Sequence, residues 1–198
     1  MKTTPILLPR AWRRGLLAAV LALVAGAAAC DDPFQLTASR QNIDETFEVW
    51  GITGSSSVYP AGIIVPQATA VRLDAAGSFD LAFDIDGDGR LMVYPVGSVV
   101  SPLTGACLVE FQRITSTYSE AVEAPKTGWT SDSLLLVNPG QAFFVKVRTL
   151  YCQYDLRQEV YAKFYVDSVI PAEHRIKLGA RINPNCGFRS LLSGVPEF

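Results

Sequence analysis

Seven consecutive residues, Asp84-Ile85-Asp86-Gly87-Asp88-Gly89-Arg90, carry the spacing of a cation loop. Oxygen ligands at the first, third and fifth positions, a glycine at the sixth and a backbone carbonyl at the seventh build calcium loops of the EF-hand kind. The twelfth position, where a bidentate Glu belongs, is Pro95. Alternation puts Asp84 and Asp86 on one face of a strand, and Gly87 and Gly89 let the turn fold Asp88 back towards them. No lysine stands near to neutralise the three. The expectation is a β-hairpin loop that holds Ca²⁺ at best in the roughly 10⁻⁴–10⁻³ M range of extracellular modules, set against a plain Asp-Gly turn in solvent.

The remaining candidates for catalysis are sparse. His174 is the single histidine, in the turn Pro171-Ala172-Glu173-His174, which excludes zinc sites built on two or three imidazoles. A Ser–His–acid triad would have to use it, and no Gly-x-Ser-x-Gly elbow presents a serine. Glu120 with Glu123, or Glu45 with Glu48, would serve as a carboxylate pair for glycoside hydrolysis, but both pairs sit among polar and small residues that leave them solvated. No catalytic residue is therefore assigned, and the chain reads as a non-enzyme.

Charge offers a binding reading instead. Residues 30–140 hold five Lys and Arg against fourteen Asp and Glu, whereas residues 141–198 hold eight against five. If 142–149, 160–169 and 175–182 are strands of one meander, Lys146, Arg148, Lys163, Lys177 and Arg181 project from one sheet face. Tyr161 and Tyr165 flank Lys163 there. Such a basic strip could hold an anionic glycan or an acidic loop of a partner, against the simpler reading of the wet face of a half-buried sheet.

The N-terminal thirty residues give an address. Lys2, Arg10, Arg13 and Arg14 precede an apolar run from Gly15 to Ala29, closed by Ala27-Ala28-Ala29-Cys30, which is the layout of an export signal. The run is fifteen residues, short of the about 20 that a membrane-crossing helix needs. The closing tetrad resembles the lipobox of bacterial lipoproteins, in which the cysteine is lipidated and the chain is cut just before it. Where lipoboxes usually carry Leu, this chain has Ala27, so the same residues also read as an Ala-x-Ala site for ordinary cleavage. The resemblance implies residues 1–29 as signal peptide, Cys30 as a lipidated first residue and residues 30–45 as a polar tether. Its implied location is the bacterial cell envelope, at a membrane and facing periplasm or exterior.

Residues 30–198 carry 13 Lys and Arg against 19 Asp and Glu, a formal charge of −6, a poor balance for gripping nucleic acid. Residues 46–198 suffice for one domain, and their pattern is β throughout. Thr46–Ile52 alternates, Ala70–Leu73 does so briefly, and Phe79, Leu81, Phe83 and Ile85 share one strand face opposite Asp80, Ala82 and Asp84. Leu91–Val96 follows as the second arm of a hairpin. Cys107–Thr117, Leu134–Val137, Ala142–Thr149, Val160–Val169 and Arg175–Ile182 complete the set, separated by turns such as Asn138-Pro139-Gly140. Short strands with such punctuation predict an all-β, antiparallel β-sandwich.

The meander also bears on the cysteines. With Cys30 lipidated, Cys107, Cys152 and Cys186 remain, and strands running up, down and up open the loops of Cys152 and Cys186 at the same end. A Cys152–Cys186 disulfide is expected, with Cys107 a buried thiol; without lipidation, two disulfides including Cys30 would follow. Finally, Pro139-Gly140, Phe144-Val145, Tyr161-Ala162-Lys163, Val166, Asn183-Pro184-Asn185 and Ser190-Leu191 resemble the closing strands of uncharacterised β-sandwich lipoproteins from bacterial envelopes. The implied role is an exported, anchored envelope protein of binding or structural type, with a protein or glycan partner. A calcium-supported carbohydrate-binding module and a carboxylate hydrolase are the alternatives.

Overall fold

The computed structural model describes residues 38–75, 78–100, 108–131, 133–152, 155 and 157–196, all within one compact unit, Leu36–Phe198. The expected export signal (residues 1–29), Cys30 with residues 31–37 of the expected tether, and Cys107 lie outside the described residues. Eleven strands form among those described: β1 (Ile43–Trp50), β2 (Gly62–Ile64), β3 (Thr69–Val71), β4 (Leu81–Ile85), β5 (Leu91–Pro95), β6 (Leu108–Arg113), β7 (Thr130–Ser131), β8 (Leu135–Val137), β9 (Ala142–Arg148), β10 (Glu159–Ile170) and β11 (Arg175–Asn183). Among the described residues helix is confined to single turns such as Val96–Val99.

The strands make two antiparallel sheets, a six-stranded one in the order β1-β11-β10-β9-β6-β7 and a five-stranded one in the order β3-β2-β4-β5-β8. The protein is an all-β sandwich. The meander is present, with Phe164 of β10 opposite Phe143 of β9 and Ala180 of β11. The β4–β5 hairpin pairs Ile85 with Leu91. Strands β2 and β7, of three and two residues, carry too few side chains to show a period. Strand β1 begins at Ile43, so Ile43, Asp44 and Glu45 belong to the sheet and not to the tether.

Between the sheets, Ile176, Leu178, Ala180 and Ile182 of β11 and Val160, Ala162, Phe164 and Val166 of β10 alternate inward and are buried. Phe143 stacks on Phe164 with ring centroids 5.4 Å apart, and Phe111 meets Phe143 edge-on at 6.4 Å. Such aromatic pairs add about 0.5–1.5 kcal/mol each beyond the area they bury.

Strand β4 departs from its expected alternation, because Leu81, Ala82, Phe83 and Asp84 are all buried. Asp80, also buried, accepts the backbone N–H of Val65 at 2.7 Å. Desolvation pushes its carboxyl up to about 6, opposed by that hydrogen bond.

Candidate functional site

The Asp-rich hairpin folds as a tight turn in which the Asp86 amide donates to the Arg90 carbonyl at 3.0 Å. The carboxylates do not converge. Asp84 turns towards the loop after β1, accepting the Thr53 hydroxyl at 2.6 Å and the Ile85 amide at 2.9 Å. A Cβ on Gly51 would stand 2.7 Å from its Oδ1, so glycine there is what admits the carboxylate. Asp86 accepts the amides of Asp88 and Arg90 and the Arg90 Nε at 2.6 Å, and Asp88 meets Arg90 Nη2 at 3.0 Å. Desolvation works against it, yet the backbone and guanidinium of Arg90 hold the Asp86 carboxyl below its ordinary value. The expected cation position is thus served by Arg90, a cation two residues beyond Asp88. An arginine, not a lysine, supplies the counter-charge.

The basic strip is closed at its centre and exposed at Arg148. Lys163 is 1% exposed, its Nζ donating to the Tyr118 carbonyl at 2.7 Å and lying 4.2 Å from the centroid of the Tyr118 ring. Desolvation and then the charge of Arg181 pull its ammonium below the ordinary lysine value, against the attraction of Asp44. Lys146 pairs with Glu110 and lies 5.1 Å from the Trp129 ring centroid. Arg148 pairs with Glu159, Arg181 with Asp44, and Lys177 stands opposite Glu48. Tyr161 is buried beside Trp129, and Tyr165 rests 5.9 Å from Tyr118.

A cover causes this. Residues 114–130 cross the outer face of the six-stranded sheet, and Ala121, Ala124, Phe144, Tyr161 and Leu191 form a second apolar cluster beneath them. Residues 188–191 pin the cover. Leu191 donates to the Val122 carbonyl at 2.7 Å, Ala124 to the Arg189 carbonyl at 2.8 Å, and Arg189 pairs with Glu123. The proposed hydrolase carboxylates are likewise engaged: Glu120 by Thr117, Glu123 by Arg189, Glu48 by Arg175, and Glu45 by the Thr46 amide.

One end of the sandwich is organised around the incoming chain. Asn185 Oδ1 accepts the amides of Ser39 and Arg40, both at 3.0 Å, and its Nδ2 donates to the Arg40 carbonyl at 2.8 Å. Asn183 and Asn42 both donate to the Ser190 carbonyl. These buried asparagines clamp residues 39–42 to the C-terminal segment, a role for Asn183-Pro184-Asn185 that spacing alone does not suggest. Beside them Cys152 and Cys186 form the expected disulfide, with Cα atoms 5.8 Å apart. Asp155 and the two sulfurs are the one His/Cys/Asp/Glu group among the described residues with metal-ligand spacing, and the disulfide already commits both sulfurs.

At the opposite end, Gly51 donates to the His174 carbonyl and Ile52 to the Phe83 carbonyl, which gathers residues 51–60, the hairpin tip and the 171–174 turn. His174 has φ of 50° and packs so closely that a Cβ on Gly54 would lie 2.5 Å from its ring. It anchors a loop. Trp50 and Tyr59 stack at 4.6 Å, with Tyr59 46% exposed beside exposed Val58 and Ile52. Among the described residues no helix is long and apolar enough to cross a membrane. No known protein family, curated protein or solved structure matches this chain.

Proposed function

We propose that this protein is exported to the bacterial cell envelope, held at a membrane by lipid on Cys30, and acts there by binding or as a structural element through its β-sandwich. The observation that carries this is the polarity of the domain. The chain arrives at the Asn183–Asn185 clamp, and the exposed aromatic stack lies at the other end of β1, eight residues or about 25 Å away. An anchor at one end leaves the Tyr59 end free to meet a partner. A protein or a glycan fits that role, and the exposed face of the Trp50–Tyr59 stack favours a sugar ring. Arg90 removes the reason to expect calcium to support it. The acidic balance of residues 30–198 speaks against a nucleic-acid ligand.

Fractionation of cells expressing the full chain tests the anchor. The parent is expected in the membrane fraction, and Cys30→Ala is expected to be released or left uncleaved. Equal distribution of the two, with the same processing, overturns the reading.

A further inference from the structure

The clamped end exposes more apolar surface than a solvated end needs. Leu150 is 62% exposed, Tyr151 41%, and Leu192 and Val195 48% each. They lie on two segments that meet the incoming chain within three residues. The Tyr151 hydroxyl bonds the Arg40 guanidinium, while Asn42 donates to the Leu192 carbonyl at 2.6 Å and to the Gly194 carbonyl at 2.9 Å. Arg40 and Arg157, both exposed, make no ion pair among the described residues, and Asp155 is an exposed carboxylate on the same hollow as Arg40. Aliphatic side chains, a tyrosine and exposed arginines with no carboxylate partner among the described residues are the composition that settles at a membrane interface.

The length of chain leading to this end decides what it meets. From Cys30 to Ser39 there are nine peptide steps, about 30 Å when fully extended. The Tyr59 end lies about 25 Å further along β1, the span of its eight residues. A bilayer holding lipid on Cys30 therefore meets the clamped end over the whole range of the tether, and the Tyr59 end only with the tether almost fully drawn out. Tethering also makes contact intramolecular, with an effective concentration in the roughly millimolar range, so a small patch suffices.

We propose that the clamped end docks on the lipid surface that carries the anchor, with Leu150, Tyr151, Leu192 and Val195 in the headgroup layer and Arg40 and Arg157 on anionic headgroups. This rests on the anchoring reading, and replaces a domain that swings on its tether by one held upright. The test is amide exchange of the lipidated full chain on vesicles of phosphatidylethanolamine and phosphatidylglycerol. The reference is Leu150→Ser/Tyr151→Ser/Leu192→Ser/Val195→Ser, four exposed changes that leave the core untouched. Arg148, Thr149, Ser193 and Gly194 are expected to exchange more slowly in the parent than in this variant, with residues 52–59 alike in both. Equal exchange at those four positions while both proteins sediment with vesicles overturns the docking and leaves the anchor standing. Failure of both to sediment overturns the anchoring reading, and the docking with it.

Discussion

The two faces of the six-stranded sheet solve burial in different ways. Its inner face is apolar and repetitive, with Phe143, Val145, Val147, Phe164 and Leu178 meeting the second sheet. Its outer face carries the polar halves of the same strands, and three of its cations have particular partners: Lys146 has Glu110, Arg181 has Asp44, and Lys163 has the Tyr118 carbonyl. The inner face depends on shape alone, so many apolar sequences would fill it. The outer face depends on particular pairs, because a buried charge left unmatched costs far more than a cavity of one methylene. A polar stripe on a strand therefore does not by itself mean solvent.

Adjacent residues of β9 allow the largest test of this contrast. Phe143 is fully buried on the inner face, and Phe144, 8% exposed, belongs to the outer cluster. Phe143→Ala should cost about 3–5 kcal/mol in urea unfolding, the usual range for a core Phe. Phe144→Ala should cost about 2–3 kcal/mol, below that range, because the cover can settle into the gap. It should also speed amide exchange in residues 114–124 while leaving β10 and β11 protected. Equal costs, or loss of protection throughout, would show that cover and sandwich are one cooperative unit.

Lys163 sharpens the contrast through pH. Its folded-state value is lowered by desolvation, so between that value and 10.5 the unfolded chain binds more protons and stability rises with pH. Tyr118, pushed by burial up to about 12, reverses the trend once unfolded tyrosine begins to ionise near pH 10. Lys163→Met keeps the apolar stem and removes the titration. It should cost about 1–2 kcal/mol at neutral pH for the lost charged hydrogen bond, with the gap to the parent widening as pH climbs towards 10. A constant gap across that window would mean that the ammonium reaches solvent in the folded state.

What the sequence made legible follows the same division. Strand β11 alternates in burial over eight of its nine residues, and β9 and β10 alternate in side-chain polarity although part of their outer faces is covered; from this meander the Cys152–Cys186 pairing follows. Residues 114–130 show no period, since they are held by backbone carbonyls and by Arg189 rather than by a repeating face. The clamp of Asn185 on Ser39 and Arg40 spans about 146 positions, a separation that no local pattern records. Asp84 and Asp86 obey strand alternation in sequence, but Gly51 and Thr53 draw one carboxylate away while Arg90 holds the other.

That hairpin gives the smallest expected effect. Arg90 is 39% exposed at its side chain and Asp88 76%, so the pair is a solvent-screened surface ion pair that contributes little to stability. Arg90→Ala should therefore lower the melting temperature only slightly, with the turn kept by the Asp86 carboxylate on the amides of Asp88 and Arg90. What changes is the charge, since two carboxylates then share a tip with no counter-ion from the chain. Millimolar Ca²⁺ should leave the melting temperature of the parent unchanged and raise that of Arg90→Ala, the weak site appearing only when the guanidinium is gone. A calcium-dependent rise in the parent of the same size would mean that the ion displaces Arg90 and that the hairpin tip is a cation site in the native chain.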